Sequence, residues 1–448
     1  MASPKVIIDG VFFQINQTGI ARVWKKLLEE WKKSNFSKHI IVINRGDTAP
    51  KIDGIRYCSM PLYDYREKAL ESERLQAVCD QFQADLFIST YYTTPLSTPS
   101  ILMVHDMIPE VIQLDLQEPC WQEKYYSILY ANRYICVSQN TANDLLKFYP
   151  HIDKSLVNVI YNGIDETFET ASDSEILGIK QKLGIKLPYF LLVGSRMSLK
   201  GYKNTILFFK ALAKWEDSQK IAVVCVGGEP ELEKELSVLA DAVKIHLVRV
   251  DDRDLRAIYS GAIALIYPSL YEGFGLPILE AMACGCPVIT CRNSSLPEVA
   301  GDAAIYVDEY DVAEMIQAIE QIQIPIVRQK LIQTGLKQAQ KFSWKMMADQ
   351  VYLTFIDMIQ SLNTEQISRT RFSLLWQELR KEQIKLEQLQ KQQISQKPSH
   401  IESYLEEIAT LQKSLKLAQL EIEAMKTSKF WKFRSLWLKF KALIGLRL

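Results

Sequence analysis

The chain has 448 residues, of which 48% are hydrophobic and 10% aromatic, and this composition excludes a largely disordered protein. The 53 Lys and Arg residues equal the 53 Asp and Glu residues, so no overall charge directs the chain toward nucleic acid. The length predicts two globular domains and an additional segment.

Cysteine usage and the apolar stretches predict a cytoplasmic protein. The eight cysteines include no C-x-x-C pair, and the nearest two, Cys284 and Cys286, lie in an apolar run, which favours small buried side chains over a metal site or disulfide. At the N-terminus, Asp9 interrupts the apolar residues before they reach the length of a signal peptide. The longest stretch without a formal charge, 86–104, contains prolines and many polar residues, which excludes a spanning helix.

Short apolar runs alternate with helix-period segments through the first 340 residues or so. In the first half they are KVIIDG, HIIVIN, DLFIST, ILMVHD, RYICVS and VNVIYNG. In the second half they are YFLLVGS, IAVVCVGG, KIHLVRV, AIALIYPS, PVITC and AAIYVD. Nearly continuous apolar strands separated by helices indicate parallel sheets that are covered on both faces. The fold class is therefore α/β, with two tandem doubly wound (Rossmann-like) domains facing a cleft.

The domain boundaries follow from this alternation. The first domain is expected at 1–165 and the second at 186–342, with a polar and then helical join between them. The amphipathic segment 343–361 is expected to pack back onto the first domain and complete it.

Residues 364–425 are rich in Gln, Glu, Lys and Leu and predict a helical or coiled-coil segment. Apolar residues recur there in steps of three and four, as in a heptad seam: Ile401, Tyr404, Ile408, Leu411, Leu415, Ala418, Ile422 and Met425. Two alternatives stay open, coiled-coil pairing that would make a homo-oligomer and a helical hairpin that folds on itself. Pro398 is expected to separate the two helices.

Residues 426–448 carry Lys and Arg but no acidic residue, and aromatic side chains share one helical face. This pattern predicts a basic amphipathic helix that contacts an anionic membrane surface. The alternative is a helix that docks on the protein itself or on a partner.

The stretch YPSLYEGFGLPILEAMACGCPVIT joins a buried strand to a helix and combines glycines with two carboxylates. Gly273 and Gly275 let backbone N–H groups approach a ligand at the start of the helix, which is a site for phosphate. Glu280, one turn into the helix, is suited to accept hydrogen bonds from both hydroxyls of a ribose. Glu272, ahead of the loop, is suited to a sugar hydroxyl. The junction therefore predicts a ligand that contains ribose, diphosphate and sugar.

EGFGLPILE followed by AMACGCPVI resembles the signature of the retaining family-4 (group 1) glycosyltransferases of the GT-B fold. VGSRMSLKGYKN, NQTGIARV, VHDMIPE, SLPEVAGDAAIYV and FSW resemble further motifs of that family, and the resemblance covers about residues 1–360. It implies a hexosyltransferase that moves a sugar from a nucleotide-diphosphate sugar to an acceptor hydroxyl with retention.

The resemblance also implies the site residues. The catalytic candidates are His105, beside the donor sugar, and Glu272, which is not assigned as a nucleophile. The donor-binding candidates are Gly19, Gly194, Arg196, Lys203, Lys200, Gly273, Phe274, Gly275, Leu276 and Glu280. Of the two lysines, Lys203 is preferred because it precedes Asn204 at a helix start. No metal or cofactor is expected, since the DRD sequence at 252–254 is better explained by helix capping.

VHDMIPE looks like the mannosyltransferase branch, which implies GDP-mannose as donor, while UDP-sugars stay open. The expected acceptor is a glycan or lipid-linked glycan in cell-surface polysaccharide assembly at the cytoplasmic face of the membrane. Two carboxylates could instead indicate a glycoside hydrolase, and a sugar-nucleotide epimerase could have the same architecture. A scaffold that presents the coiled coil is a non-enzymatic alternative. The hydrolase leaves the glycine loops and the Arg/Lys pair without a role, and a scaffold does not need Arg196, Glu272 and Glu280.

Overall fold

The computed structural model describes residues 4–16, 19–64, 67–196, 199–362, 366–395 and 401–427. Two parallel sheets, each covered by helices, form successive parts of the chain, and a pair of long helices follows them. The prediction of two doubly wound α/β domains is confirmed.

The first sheet has seven strands in the order β3-β2-β1-β4-β5-β6-β7. The strands are β1 (Val6–Asp9), β2 (Ile40–Arg45), β3 (Arg56–Met60), β4 (Leu86–Ser89), β5 (Ser100–Val104), β6 (Arg133–Cys136) and β7 (Val157–Val159). The pairs along this sheet are parallel, with Val6 opposite both Ile40 and Leu86 at the centre. Sequence reasoning missed β3, because this edge strand is partly exposed and lacks a continuous apolar run.

The second sheet has six strands in the order β10-β9-β8-β11-β12-β13, the order of a Rossmann sheet. They are β8 (Tyr189–Val193), β9 (Ala222–Val226), β10 (Lys244–Val248), β11 (Leu265–Tyr267), β12 (Val288–Cys291) and β13 (Ala304–Val307). Because its strand order reverses next to β8, the crevice at the carboxyl ends of β8 and β11 is the place where such sheets bind ligands.

The helices that accompany the first sheet include short turns and longer covering helices. They are α1 (Val11–Ile15), α2 (Ile20–Lys33), α3 (Lys68–Phe82), α4 (Ile108–Val111), α5 (Pro119–Tyr130) and α6 (Gln139–Phe148). Those of the second part are α7 (Asp173–Lys182), α8 (Thr205–Leu212), α9 (Lys234–Leu239), α10 (Asp252–Gly261), α11 (Leu276–Ala283), α12 (Leu296–Ala300), α13 (Val312–Gln321) and α14 (Pro325–Ala339). Helix α7, which lies in the predicted join, packs against α10.

The chain crosses from one sheet to the other and returns at neighbouring points. Ile164 and Ser343 form an isolated parallel bridge where the outgoing and returning segments meet. After the return, α15 (Trp344–Leu362) packs against α2. Trp31 Nε1 donates to Ala348 O at 3.0 Å, and Arg133 pairs with Asp357 at 2.6 Å. These contacts are those expected if 343–361 completes the first domain; the exact boundaries stay predictions.

The last described helices are α16 (Gln366–Ser395) and α17 (Ile401–Thr427), which pack against each other and are called the hairpin below. Heptad-seam residues Ile408, Leu415 and Ile422 are buried within the chain. Leu415 and Ile422 share a cluster with Leu129 of α5 and with other apolar residues of α5 and α16. The seam is therefore used within the chain, as in the second alternative, and homo-oligomer formation stays a prediction. The predicted basic helix at 426–448 lies almost entirely outside the described residues.

Candidate active site

The two sheets meet through the backbone of two loops at their carboxyl ends. Gly273 follows β11 of the second sheet, and His105 follows β5 of the first. A β-carbon added to Gly273 would lie only 1.8 Å from His105 O, so glycine alone permits this approach. Thr141 Oγ1 also donates to Gly273 O at 3.1 Å. The cleft is therefore closed around the predicted Gly loop.

Glu272 and Lys203 form an ion pair inside this junction. Lys203 Nζ lies 2.6 Å from Glu272 Oε1 and 3.2 Å from the hydroxyl of Tyr267, which ends β11. Glu272 is buried, and its backbone N–H donates to Ser294 Oγ at 3.0 Å. Burial raises the pKa of Tyr267 well above its usual range, so its hydroxyl stays neutral beside the carboxylate. The site thus holds one cation and one anion side by side.

Glu280 is buried on α11 and contacts two residues that sequence reasoning did not select. Its Oε1 accepts from Arg22 Nη1 at 2.5 Å, and its Oε2 accepts from the Tyr259 hydroxyl at 3.0 Å. Arg22 belongs to α2 of the first domain and also contacts Asp252 Oδ1 at 2.7 Å. Burial raises the pKa of Glu280, and the charge of Arg22 opposes that increase. The predicted ribose carboxylate is therefore part of an ion pair between the domains.

The guanidinium of Arg196 is turned into the protein. Nη2 donates to Glu229 O at 2.7 Å and to Glu231 O at 3.0 Å, and Nε donates to Glu233 Oε2 at 3.3 Å. Its backbone N–H donates to Glu229 Oε2 at 2.8 Å. Arg196 therefore braces the loop after β9 in this structure, an arrangement that its sequence position could not reveal.

Lys200 and Lys203 have different surroundings. Lys200 Nζ donates to the carbonyls of Ile112 and Gln113 at 2.9 and 2.5 Å, at the end of α4 in the first domain. It contacts backbone across the cleft, whereas Lys203 contacts the side chain of Glu272. The structure therefore brings Lys203, but not Lys200, to the acidic residue of the predicted site.

His105 presents its backbone to the Gly loop and keeps its ring partly covered. Its Nε2 atom is buried and has no hydrogen-bond partner among the described residues. Burial lowers the pKa of His105 to about 3, so the imidazole is neutral at physiological pH. Asp106 Oδ1 accepts from the backbone N–H of Ile108 at 3.0 Å, so this carboxylate caps the turn that follows His105. A neutral imidazole with an unsatisfied nitrogen at the closed cleft is suited to hydrogen-bond a polar ligand.

The remaining predicted donor residues are glycines and apolar residues around the same loops. Gly275 caps α11 with φ 103°, a conformation that favours glycine, and Leu276 begins the helix. Phe274 instead packs against Phe342 with ring centroids 5.8 Å apart. Gly194 N donates to Val226 O at 3.0 Å, next to the Arg196 loop, and Gly19 caps α2 ahead of Arg22.

Further contacts hold the closed arrangement together. Glu298 of α12 accepts from the backbone N–H groups of Gln139 and Asn140 at 2.7 Å each, at the start of α6. The Tyr271 hydroxyl donates to Asp144 Oδ2 at 2.8 Å. Glu298 and Asp144 therefore each accept hydrogen bonds from the opposite domain. The residues next to them in the sequence give no indication of these contacts.

The DRD sequence lies at the start of α10, as predicted. Asp251 caps this helix by accepting from Asp254 N at 2.9 Å. Asp252 binds Arg22, and Asp254 binds Lys182 at 2.6 Å. Among the described residues, no group of three His, Cys, Asp or Glu side chains is arranged to hold a metal ion. Within the same residues, no helix combines the length and apolar character that crossing a bilayer requires.

Two doubly wound sheets that close on each other, with Lys203, Glu272 and Glu280 at their facing carboxyl ends, form the GT-B fold. Structural similarity supports the fold. Alr3699/HepE from Anabaena, solved in complex with UDP-glucose, superposes with a TM-score of 0.62 at 16% identity, covering 79% of this chain and 99% of that one.

Family profiles identify the particular family. The profile described as "Glycosyl transferases group 1" matches residues 176–338, and the profile "Glycosyltransferase Family 4" matches residues 17–168. Together these ranges take in most of both sheets with their carboxyl-end loops. The chain is therefore a member of the group 1, family 4 glycosyltransferases, as the resemblance of its motifs predicted.

Named relatives include O-antigen mannosyltransferases. The chain is 46% identical to O-antigen chain mannosyltransferase B of Escherichia coli over 101 residues, which are 22% of this chain and 26% of that protein. It is 30% identical to O-antigen chain mannosyltransferase RfbU of Salmonella typhimurium over 248 residues, 53% of this chain and 65% of that protein. The matches thus span about a quarter and just under two thirds of the lengths of these relatives.

Proposed function

We propose that this protein transfers mannose from GDP-mannose to a hydroxyl of a glycan acceptor, with the anomeric configuration retained. The observation that carries the proposal is the contact of the His105 backbone with Gly273, directly beside the Lys203–Glu272 pair. This contact brings the ligand-binding edges of both sheets to one point. A donor bound on the second domain would therefore meet an acceptor bound on the first.

The chemistry needs positive charge where the nucleotide diphosphate leaves. Lys203 supplies a cation, and the start of α11 supplies backbone N–H groups with the positive end of the helix dipole. In this proposal, Arg196 exchanges its contacts with the carbonyls of Glu229 and Glu231 for phosphate oxygens when the donor binds. Glu280 accepts hydrogen bonds from the ribose hydroxyls with the carboxylate that Arg22 and Tyr259 already orient.

Retention is proposed to occur on one face of the sugar, with the leaving phosphate accepting the proton of the acceptor hydroxyl. Glu272 is poorly suited to act as a nucleophile, because Lys203 Nζ already occupies its Oε1 at 2.6 Å. We assign it instead to a hydroxyl of the donor sugar. The neutral His105 ring, whose buried Nε2 has no hydrogen-bond partner among the described residues, is assigned to hold the sugar from the first domain.

Mannose is proposed because both named relatives are O-antigen chain mannosyltransferases. The complex of Alr3699/HepE with UDP-glucose supports a UDP-sugar as the second candidate donor. We extend the proposal to a lipid-linked glycan acceptor at the cytoplasmic face of a membrane, with residues 426–448 as the membrane contact. That part is supported only by the basic and aromatic composition of this segment.

A donor panel tests the proposal. The full chain is incubated with GDP-mannose, UDP-glucose and UDP-galactose, with and without octyl α-D-mannopyranoside, and release of GDP or UDP is measured. We expect GDP-mannose to be consumed fastest, and nuclear magnetic resonance of the product should show an α-linkage. Release of neither nucleotide from any donor would contradict the proposal.

A substitution tests the ribose assignment separately. Glu280→Ala removes two charged hydrogen bonds to ribose and should weaken GDP binding by about 10- to 100-fold in calorimetry. Glu320→Ala, at an exposed position of α13 in the same domain, is the matched control and should bind GDP normally. Equal affinity in the two variants would remove Glu280 from the donor site.

A further inference from the structure

The hairpin lies outside both family matches, yet it packs onto the first domain beside the cleft. It contacts α5 and the loop 90–99, which follows β4. Both segments belong to the domain to which the proposed function assigns the acceptor. The hairpin is therefore placed to act on acceptor binding rather than on the donor.

Arg380 of α16 is the centre of this contact. Its side chain is fully buried, and its two terminal nitrogens donate to the two carboxylate oxygens of Glu123 at 3.1 and 3.0 Å. Nη2 also donates to Thr94 Oγ1 at 3.0 Å. The guanidinium lies over the rings of Tyr126 and Trp376, 4.9 and 4.8 Å from their centroids. One side chain thus joins α16 to both α5 and the loop.

A buried ion pair adds little stability compared with an apolar contact of the same size, because both charges lose their hydration. What the bidentate geometry does provide is a fixed relative position of the two partners. The arginine therefore sets where the hairpin, α5 and the loop stand relative to one another. Trp376 adds a second fixed point, since its Nε1 donates to Pro95 O at 3.1 Å.

Lys124, which follows Glu123 on α5, connects this helix to the segment at the cleft. Lys124 is buried, and its Nζ donates to Glu110 Oε2 at 2.6 Å and to Asp106 O at 3.2 Å. Asp106 directly follows His105, whose carbonyl oxygen contacts the Gly loop of the donor domain. A shift of α5 would therefore move the segment that faces the donor sugar from the first domain.

The loop makes a second connection. Tyr92 lies in one apolar cluster with Met107 and with Tyr271, which precedes Glu272 in the second domain. Thr93 Oγ1 donates to Asp9 Oδ2 at 2.6 Å, at the carboxyl end of β1. Tyr92, which lies just before the residues Thr94 and Pro95 that the hairpin contacts, therefore packs against both domains.

We propose that Arg380, assisted by Trp376, is a positioning residue for the acceptor, and that the hairpin sets acceptor use by fixing α5 and the loop 90–99. This inference rests on the proposed function. It requires no contact between the hairpin and substrate, because the hairpin acts on the cleft through its contacts with Glu123 and Thr94 and through the neighbouring Lys124.

Two mild substitutions test it in the full chain. Arg380→Lys keeps the charge but loses the two-pronged contact, and Trp376→Phe keeps an aromatic ring but removes the N–H donor. Lys385→Met, at an exposed position on the same helix, is the matched control. GDP release from GDP-mannose is measured in water alone and with increasing octyl α-D-mannopyranoside, well below the thermal midpoint of each variant.

We expect the half-saturating mannoside concentration to rise about tenfold in R380K and about threefold in W376F. Release of GDP in water alone should change less than the half-saturating mannoside concentration does, because the residues assigned to the nucleotide lie on the second domain. Hydrogen exchange should quicken in peptides covering 91–99 and 119–130 and stay unchanged in the segment 265–283.

Other results would overturn the inference. If mannoside saturation is the same in folded R380K, W376F and the control, the hairpin is only a structural brace. If GDP release in water falls as much as transfer, the hairpin acts on the whole enzyme. If mannoside does not stimulate the unsubstituted protein, the inference fails while donor turnover still stands. Absence of any donor turnover in the unsubstituted protein is instead a failure of the proposed function.

Discussion

Gly273→Ala should separate donor and acceptor without removing a functional group. The new β-carbon would lie 1.8 Å from His105 O, 2.8 Å from the His105 carbonyl carbon and 2.9 Å from Asp106 Cβ. Carbon and oxygen atoms normally stay about 3.3 Å or more apart, so the two backbones must part by about 1.5 Å.

The loop around Gly273 cannot easily absorb this displacement by itself. Ser295 Oγ lies 2.9 Å from both Glu272 O and Phe274 O, so its hydroxyl hydrogen is shared between the carbonyls on either side of Gly273. The movement must therefore open the cleft between the domains. A misplacement of about 1 Å between reacting groups can reduce the rate about 100-fold, so we expect at least that loss in kcat.

The assay compares turnover with binding. GDP release with octyl α-D-mannopyranoside gives kcat, and calorimetry gives the affinity for GDP, which should change by less than about tenfold because the nucleotide contacts lie on the second domain. Gly178→Ala is the control, since a β-carbon there meets nothing within 4 Å and alanine favours a helix interior. A folded Gly273→Ala protein with the turnover of the control would refute the closed arrangement as the active one.

Three further predictions follow from the site. Lys203→Met should lower kcat about 100-fold because the leaving phosphate loses its cation, whereas Lys200→Met, measured in the same assay, should have less than a tenfold effect. Burial lowers the pKa of His105 to about 3, below the ordinary value near 6.5, so its stabilising contribution is complete above about pH 6.5 and is lost as the pH falls toward 3. Between pH 6.5 and 5, the free energy of unfolding measured in urea should therefore fall less in His105→Gln than in the unsubstituted protein, by up to about 2 kcal/mol. Parallel plots of this free energy against pH for the two proteins would contradict the prediction. Arg22→Met should lower the free energy of unfolding by about 2–3 kcal/mol, because a buried carboxylate loses its cation, while Lys25→Met at an exposed site of the same helix should change it by less than about 0.5 kcal/mol.

The sequence predicted the two sheets well because their strands are buried on both faces and read as continuous apolar runs. Edge strand β3 lacked that signal, since its residues are partly exposed. The junction at 272–280 could also be recognised, because glycines, a strand and a helix start occur together within one short stretch.

Partners far apart in the chain could not be predicted in the same way. Arg22 and Glu280 are 258 residues apart, and nothing local to either residue signals the contact. Arg380 and Glu123 are 257 residues apart, and a charged residue in a helix ordinarily indicates a solvent-facing position. The heptad seam likewise showed which helical face is apolar but not whether another chain or the same chain covers it.

The bridge between Ile164 and Ser343 has a consequence for how the enzyme opens. The two segments that link the domains run side by side at this bridge. We therefore expect the two domains to move relative to each other by hinge rotation about this line. Phe274 packs edge-to-face against Phe342 close to this line and would therefore move little when the domains open and close. The Gly loop would then stay nearly in place, while the part of the first domain farthest from the bridge makes the largest movement and opens the cleft to the next substrate.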